Sequence, residues 1–407
     1  MNCRHCGSEL NLQLADLGSA PPSNAYLTEK TLHSPEVWLP LRVLVCEDCW
    51  LVQTEDFAQA DILFQADYAY YSSTSREWLA HAARYTSEMV ARLHLSEKSF
   101  VVEIASNDGY LLKNFVAAGI PCLGIEPTAG TAAAAELLGI PVRREFFGEL
   151  LARKLTTEGK GADLVVGNNV YAHVPDINDF TRGLKAILKP KGTITLEFPH
   201  LLQLLKHCQF DTIYHEHFSY LSLHTVHHIF AAAGLRLYDV QSLTTHGGSL
   251  RVFGCHADDS RPDSPTVKKL LEQEMANGLL DRGIYLTFQN RVNQIKDDLL
   301  LFLVEQKRRG KKVAAYGGAA KGNTLLNYAG VRPDLIPFVC DAAPSKQGKY
   351  MPGSRIPIFS PTVLRKQRPD YLLILPWNIA SEVKEQSADL EDRGTKFITA
   401  IPCMEEV

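Results

Sequence analysis

The chain has 407 residues, 45% of them hydrophobic and 22% charged, and a formal net charge of −4. This length suits about two or three domains, and the acidic balance argues against a general attraction to nucleic acid or an acidic membrane. No apolar run approaches the roughly 20 residues of a membrane-spanning helix. Because residues 1–6 are polar and unlike a secretory signal, we expect a cytoplasmic protein whose cysteines bind metal or lie buried.

Four of the nine cysteines form two C-x-x-C pairs, Cys3 with Cys6 and Cys46 with Cys49. Each pair brings two thiolates onto one turn, and two pairs supply the four soft ligands of a closed tetrahedral Zn²⁺ site. A catalytic zinc keeps an open position, and a redox dithiol needs only one pair, so both alternatives are weaker. We therefore predict a structural zinc site in an N-terminal lobe.

Strand and helix patterns alternate from Ser99 onward. Residues 100–115 have the pattern of an apolar strand, a tight loop and a helix. A second strand, residues 122–127, contains Glu126 at about the separation expected for an acid that binds a ribose diol. A third strand covers residues 162–167. The alternation predicts a doubly wound parallel sheet with its ligand at the carboxyl ends of the strands.

The loop after the first strand distinguishes two cofactors that suit such a sheet, NAD and S-adenosylmethionine. A dinucleotide site needs G-x-G-x-x-G, because the pyrophosphate approaches bare backbone. Here Gly109 is the one glycine of residues 105–109, and Asp108 would repel a pyrophosphate but pair with an ammonium group. We therefore favour S-adenosylmethionine. The predicted cofactor-binding residues are Glu103, Ala105, Asn107, Asp108, Gly109, Glu126, Pro127, Asn168 and Asn169.

The segment Y-H-E-H-F-S-Y at 214–220 concentrates two imidazoles, a carboxylate and two phenols. Histidine titrates nearest to neutral pH, so such a cluster is suited to moving protons. In an extended conformation, Tyr214 and Glu216 would share one face and His215 and His217 the other. We expect His215 to be a structural imidazole. The alternative for the whole segment is an aromatic edge satisfied by backbone hydrogen bonds.

The C-terminal part follows a linker at residues 258–265 and begins with a long amphipathic helix, which has apolar residues at positions 286, 292, 295, 299 and 302 and ends in the residues 307–310. A strand at 312–316 leads into the glycine-rich turn 317–323, in which Lys321 suits an anion. Further strands are predicted at residues 336–341, 371–374 and 397–399. Together they indicate a second Rossmann-like sheet in an α/β chain.

These motifs together resemble the nucleotide-sugar 3-C-methyltransferases of deoxysugar biosynthesis, over nearly the whole chain. Besides the cysteine pairs, the motifs are E-I-A-S-N-D-G-Y at 103–110, N-N-V-Y-A-H-V-P-D at 168–176, the segment 214–220, H-G-G-S-L-R at 246–251 and Y-G-G-A-A-K-G-N at 316–323. The first is similar to the class I methyltransferase motif E-x-G-x-G-x-G, with two glycines replaced. The resemblance implies a zinc lobe, a central class I methyltransferase (Rossmann-like) domain and a C-terminal domain for the nucleotide of an NDP-sugar.

The resemblance also implies roles for particular residues. The family methylates C3 of a 4-keto-6-deoxysugar, usually linked to dTDP, after a base removes the C3 proton to give an enolate. His217 matches the base, and Tyr214, Glu216 and His173 match residues around the sugar. Either Tyr214 or His173 is the donor to the enolate oxygen. Taken alone, His173 would equally suit a cap for the helix that begins near Asp176.

Two further sets of residues follow from the same resemblance. A tyrosine before the central domain belongs to the family's site, and Tyr68 is the best match, although Tyr70 and Tyr71 are close by. The predicted substrate-binding residues are His246, Gly247, Ser249, Arg251, Lys321 and Asn323.

The predicted domains are the zinc-binding domain at 1–70, the S-adenosylmethionine domain at 71–255 and the nucleotide-sugar domain at 256–407. The expected partner is a nucleotide-sugar, with no nucleic acid or membrane, in a monomer or weak homo-oligomer. Two alternatives stay open. One is a nicotinamide-dependent oxidoreductase acting on a nucleotide-sugar, and the other is an RNA-directed zinc-containing methyltransferase, which the acidic balance disfavours.

Overall fold

The computed structural model describes residues 1–55 and 71–407. The strands are β1 (Leu12–Ala20), β2 (Leu39–Val45), β3 (Val52–Thr54), β4 (Val101–Ile104), β5 (Cys122–Ile125), β6 (Val142–Arg143), β7 (Ala162–Asn168), β8 (Leu188–Pro199), β9 (Ser219–Tyr220), β10 (Leu235–Leu243), β11 (Ser249–His256), β12 (Val313–Tyr316), β13 (Val339–Cys340), β14 (Ile358–Phe359), β15 (Tyr371–Ile374), β16 (Lys396–Thr399) and β17 (Glu405–Glu406). The helices are α1 (Arg76–Leu93), α2 (Leu112–Ala117), α3 (Ala129–Leu137), α4 (Glu149–Thr157), α5 (Ile177–Ile187), α6 (Leu201–Lys206), α7 (Leu223–Ala232), α8 (Pro265–Ala276), α9 (Arg282–Leu286), α10 (Phe288–Arg308), α11 (Ala320–Tyr328), α12 (Thr362–Gln367), α13 (Ala380–Gln386) and α14 (Ala388–Glu391). Within the described ranges, no helix combines the length and apolarity needed to cross a membrane.

The central domain is built on a seven-stranded sheet with the order β10-β11-β8-β7-β4-β5-β6. Strands β8, β7, β4, β5 and β6 are parallel, and β11 joins β8 in the antiparallel sense. Neighbouring residues of β4 belong to different hydrophobic cores. Val102 lies in a core with residues of α4, α5 and α7, and Val101 lies in a core with residues of α1, α2 and α3. Helices therefore cover both faces, which explains why the parallel strands are apolar throughout. The predicted class I methyltransferase fold is confirmed.

The N-terminal sheet has the order β1-β2-β3-β9 and is antiparallel. Its last strand comes from the segment 214–220, since Val52 pairs with Tyr220 and Gln53 with Ser219. The zinc lobe and the histidine-rich segment thus share one sheet. The sheet therefore contains strands from both sides of the domain boundary that was expected at residue 70. The position of this boundary stays a prediction.

The C-terminal sheet has the order β14-β13-β12-β15-β16-β17, parallel except for β17. This confirms the predicted second Rossmann-like sheet. The strand expected at residues 336–341 is shorter, because Pro337 has no N–H to continue the ladder.

The predicted long amphipathic helix is confirmed as α10, except that Leu286 ends the preceding short helix α9 and α10 begins at Phe288. Leu286 is 58% exposed and lies outside the buried stripe that continues along α10. That stripe, which includes Val292 and Leu299, packs in one core with β1, β2 and β12. Helix α10 therefore joins the N-terminal and C-terminal sheets.

Candidate active site

The four paired cysteines meet in one cluster, and their sulfur atoms all lie within 4.8 Å of one another. Cys3 Sγ lies 3.5 Å from Cys49 Sγ, and Cys6 Sγ lies 3.5 Å from Cys46 Sγ. A tetrahedral zinc with Zn–S bonds of about 2.3 Å separates its sulfurs by about 3.8 Å, so the cluster fits this ion. Gln53 Nε2 donates to Cys3 Sγ at 3.3 Å, as groups around metal ligands commonly do.

Hydrogen bonds connect the zinc lobe to backbone carbonyls in and near the histidine-rich segment. The guanidinium of Arg4 donates to the carbonyls of Pro175 and Thr54 at 3.0 and 2.9 Å and lies 5.3 Å from the ring centre of Phe218. The Thr54 hydroxyl donates to the carbonyl of His217 at 3.0 Å, and its N–H donates to the Phe218 carbonyl at 3.2 Å. The lobe thus holds two consecutive peptide groups of this segment.

Residues 214–217 form a tight turn, in which the His217 N–H donates a hydrogen bond to the Tyr214 carbonyl at 2.9 Å. The alternation expected for an extended chain is therefore wrong. A turn brings residues i and i+3 together, and the rings of Tyr214 and His217 lie with centres 4.0 Å apart. His215 is structural, as expected, because its Nε2 lies 3.1 Å from the Pro40 carbonyl oxygen.

The His217 imidazole has a defined tautomer. Its Nδ1 lies 2.7 Å from the carbonyl oxygen of Thr212, which only accepts, so Nδ1 carries the proton. Nε2 therefore has the lone pair and accepts from the Tyr214 hydroxyl at 2.8 Å. Burial, and next the neighbouring His173, keep the pKa of His217 well below its usual value. The ring is neutral at physiological pH, which is the state that a general base needs.

His173 lies beside this imidazole, with the two ring centres 4.6 Å apart. Its Nδ1 donates to the carbonyl of Glu216 at 2.7 Å, and burial lowers its pKa to about 4. The capping role considered for His173 is wrong. Asp176 itself caps α5, since its carboxylate accepts from the Asp179 N–H at 2.8 Å.

The Glu216 carboxylate is buried, and its two oxygens lie 2.8 and 2.9 Å from the donor Asn24 Nδ2. On the same N-terminal segment, the Tyr26 hydroxyl donates to the Gly318 carbonyl at 2.7 Å. Sequence reasoning missed Asn24 and Tyr26, because no motif marks their segment. Tyr68, which was predicted for this site, lies outside the described residues.

The predicted cofactor loop has an unusual backbone. Ala105, Asn107 and Gly109 have φ values of 56°, 50° and 78°, in the left-handed region that favours glycine. A side chain at Gly109 would place its Cβ 2.5 Å from Ile140 Cδ1. The two replaced glycines of the class I motif thus keep the glycine-like conformation. Glu126 faces this loop and accepts from the Asn107 N–H at 3.0 Å.

Buried polar groups at this edge of the sheet fit a polar ligand. In the described part of the chain, both amide atoms of Asn168 and one carboxylate oxygen of Asp108 are buried without a hydrogen-bond partner. Burial, followed by the charges of Glu126 and Asp108, raises the pKa of Glu103 well above its usual value. Since buried polar groups normally have partners, these residues suit the amino and ribose groups of S-adenosylmethionine.

His246 lies with the cofactor residues. Its Nε2 is 3.0 Å from Asn169 Nδ2, and burial lowers its pKa to about 4. Trp78 of α1 lies 5.3 Å from the His246 ring centre and stacks on His81 at 4.8 Å. Trp78 was missed, because a lone tryptophan in a helix carries no motif.

Arg251 and Ser249 make contacts inside the central domain. Arg251 is 3% exposed, and its guanidinium pairs with Glu197 Oε1 at 2.6 Å, while His81 Nε2 lies 2.8 Å from the other oxygen of Glu197. The Ser249 hydroxyl donates to the Thr245 carbonyl at 2.9 Å. These contacts account for both residues as parts of the domain interior. Their substrate-binding role stays a prediction.

The remaining predicted substrate residues lie where the C-terminal domain meets the central one. Lys321 Nζ donates to Asn378 Oδ1 at 2.9 Å and lies 4.5 Å from the ring centre of Trp377. Asn323 Nδ2 donates to the Ser23 carbonyl at 2.6 Å. Gly247 lies against Trp377, and a Cβ there would collide with the indole.

The low pKa of His173 predicts a specific pH dependence of stability. Its pKa falls from 6.5 to about 4 in the folded protein, so between these values the unfolded chain binds the extra proton and acidification favours unfolding. Through this one group, the free energy of unfolding decreases by about 1 kcal/mol for each pH unit of acidification in that window. The free energy of unfolding in urea should therefore fall less steeply below pH 6.5 for the variant His173→Gln than for the native protein. A difference that is independent of pH would contradict this assignment.

Three family models match the chain in the predicted order. A putative zinc binding domain matches residues 3–64, a methyltransferase domain matches residues 76–240, and a C-methyltransferase C-terminal domain matches residues 244–402.

Two solved structures and one relative are similar to parts or to nearly the whole of this chain. The structure of the PH0226 protein from Pyrococcus horikoshii OT3 has 15% identity and a TM-score of 0.38, over 46% of this chain and 94% of that one. The magnesium protoporphyrin IX methyltransferase ChlM from Synechocystis PCC 6803, with bound SAH, has 14% identity and a TM-score of 0.35, over 44% of this chain and 83% of that one. The C-methyltransferase NovU of Streptomyces niveus is 35% identical over 400 residues, which are 98% of this chain and 95% of NovU. The chain therefore belongs to the family of S-adenosylmethionine-dependent C-methyltransferases that carry an N-terminal zinc-binding domain and a C-methyltransferase C-terminal domain.

Proposed function

We propose that this C-methyltransferase methylates C3 of an NDP-4-keto-6-deoxysugar, carried on dTDP, after His217 removes the C3 proton. Carbon becomes nucleophilic only when a proton leaves it, and a ketone at C4 acidifies that proton by taking the charge onto its oxygen. The observation that carries the proposal is the state of His217, a buried neutral imidazole with its acceptor nitrogen toward Tyr214. This is the base that the chemistry requires.

The geometry favours Tyr214 over His173 as the donor to the enolate oxygen. His173 is neutral, and its one N–H is directed at the Glu216 carbonyl, so its Nε2 has no hydrogen to donate. The Tyr214 hydroxyl lies 2.8 Å from His217 Nε2 and is therefore close to the place where the proton is removed. A donor to a developing oxyanion contributes roughly 3–4 kcal/mol to lowering the barrier.

The residues at the carboxyl ends of the central strands would hold the methyl donor. Glu126 would bind the ribose hydroxyls, and Asp108 and Asn168 the methionine part, with Glu103 buried beneath them. When bound, S-adenosylmethionine supplies an electrophilic methyl group on a sulfonium. Because these side chains are buried, they would help to keep water away from the edge of the sheet at which the methyl group is transferred.

The sugar and its nucleotide would bind toward the C-terminal domain. Glu216, whose carboxylate accepts from Asn24, would also accept from sugar hydroxyls. Residues 317–319 lie at the carboxyl end of β12, where Rossmann-like sheets bind ligands, and Lys321, in the first turn of α11, would bring a charge suited to a diphosphate. The choices of C3 and of dTDP come from the family resemblance.

The family membership disfavours the oxidoreductase alternative, and the net charge of −4 disfavours an RNA substrate. Methyl transfer from labelled S-adenosylmethionine to a matched pair of dTDP-6-deoxysugars, differing only in a ketone or a hydroxyl at C4, tests the proposal. We expect labelling of the ketone alone, with the new methyl group on C3 by NMR. Labelling of the hydroxyl sugar, or a methyl group on oxygen, would contradict it. A UDP-linked ketone tests the choice of nucleotide.

A further inference from the structure

We propose that Asp211 and Trp377 are positioning residues, which hold His217 in the tautomer whose Nε2 carries the lone pair that takes the proton. The C-terminal domain would thus orient the base in addition to its expected role in nucleotide binding. This inference rests on the proposed function of His217. It is carried by hydrogen bonds on both sides of the Thr212 carbonyl.

The turn Phe210–Thr212 carries the carbonyl that determines the tautomer of His217. Thr212 accepts from His217 Nδ1 at 2.7 Å. Asp211, in the middle of the turn, is 1% exposed, and within the described part of the chain its Oδ1 is buried without a hydrogen-bond partner. Because Asp211 directly precedes Thr212, a shift of Asp211 that follows the loss of its carboxylate's partner would turn the Thr212 carbonyl away from the imidazole.

Trp377 of the C-terminal domain holds that carboxylate. Its indole Nε1 donates to Asp211 Oδ2 at 2.8 Å. The indole itself is confined, since Lys321 Nζ lies 4.5 Å from its ring centre and Gly247 leaves room for it by having no side chain. A buried carboxylate is costly when it loses a donor, so this hydrogen bond strongly restricts the turn.

A second side chain of the C-terminal domain fixes the other end of the same segment. The Thr324 hydroxyl, on α11, donates to the carbonyl of Ile213 at 2.8 Å, and Thr324 is buried. Asp211 and Ile213 flank Thr212 in the chain, so both neighbours of the critical carbonyl are held from the C-terminal domain. The direction of the Thr212 carbonyl therefore depends on how the C-terminal domain packs against this segment.

The hydrogen bond made by one ring nitrogen of a neutral imidazole decides which nitrogen carries the proton. If Thr212 no longer accepts from Nδ1, the proton is able to move to Nε2, and the lone pair that would take the substrate proton is lost. Disturbing Asp211 or Trp377 should therefore lower the rate of proton abstraction. Substrate affinity should change little, because neither residue is proposed to contact the sugar.

The variant Trp377→Phe tests the proposal, since it keeps a ring and removes the N–H. We expect kcat and the exchange of the C3 proton with solvent to fall about tenfold, with KM for the nucleotide-sugar changed less than about twofold. Nitrogen NMR of the full chain labelled with ¹⁵N-histidine should show His217 passing from the Nδ1-protonated tautomer to a mixture. Tyr285→Phe is the matched control, because it removes a buried hydrogen bond to the Leu279 carbonyl away from the site.

An unchanged His217 tautomer in Trp377→Phe would overturn the proposal, whatever the rate. If that variant fails to fold, Asp211→Leu provides the same measurement, since it keeps a similar volume and removes the acceptor of the Trp377 N–H. There too, a shifted tautomer supports the proposal and an unshifted one overturns it. A shifted tautomer with undiminished exchange would support the positioning role and contradict His217 as the base, so the two claims are separable.

Discussion

Replacing His217 with asparagine should lower the exchange of the C3 proton with solvent by about 10²–10⁴-fold. An amide is a far weaker base than an imidazole, but it keeps hydrogen-bonding groups for Tyr214 and Thr212, so the turn should persist. Exchange is measured by NMR in deuterated water with an NDP-4-ketosugar and no methyl donor. Affinity for S-adenosylmethionine should stay nearly intact, because the predicted cofactor residues lie elsewhere, on β4, β5 and β7 and the loops after them.

The matched control for this experiment is His215→Asn. His215 is two residues away and contacts the carbonyls of Leu39 and Pro40, so its replacement should leave exchange near the native rate. Exchange that persists in His217→Asn would remove this residue as the base. Loss of exchange in both variants would indicate damage to the turn rather than to the chemistry.

Replacing Cys46 with serine should release zinc and unfold the N-terminal lobe. Structural zinc contributes apparent folding free energies of about 10–16 kcal/mol in small zinc modules, and loss of one thiolate removes much of it. The effect should reach the active site, because β3 pairs with β9 and the Thr54 hydroxyl donates to the His217 carbonyl. We therefore expect methyl transfer to be lost together with the metal.

Metal analysis, limited proteolysis and methyl transfer on the same preparation check this prediction. The control is Cys403→Ser, which removes an exposed thiol outside the cluster and should leave zinc content and activity unchanged. A Cys46→Ser protein that is metal-free, resistant to proteolysis in the N-terminal lobe and fully active would refute a structural role for zinc.

The features that the sequence predicts well have short-range causes. The C-x-x-C pairs are predictable because their spacing alone sets the ligand geometry. The central parallel strands are predictable because burial on both faces makes them uniformly apolar. The strand, loop and helix at residues 101–117 are predictable although Ala105 and Asn107 replace glycines of the motif, since the apolar strand and the helical spacing after it are intact.

The active-site details depend on contacts between distant parts of the chain, and local patterns do not encode them. Asn24 donates a hydrogen bond to Glu216, which is 192 residues away in the sequence, and Trp377 donates one to Asp211, which is 166 residues away. The turn at residues 214–217 was missed for a different reason. Its residues lack the glycine or proline that usually marks a turn, and its shape comes from the hydrogen bonds of β3 and Thr212 around it.

Isothermal titration of the purified zinc-loaded protein with S-adenosylmethionine, repeated in the presence of dTDP, tests the central claim most directly. The claim is that one chain holds both a methyl donor and the nucleotide of a sugar substrate. We predict saturable binding of both ligands in the micromolar range, with the donor still binding when dTDP is present. A protein that binds dTDP but not S-adenosylmethionine would contradict the assignment of residues 103–109, and one that binds only S-adenosylmethionine would contradict the nucleotide-sugar substrate.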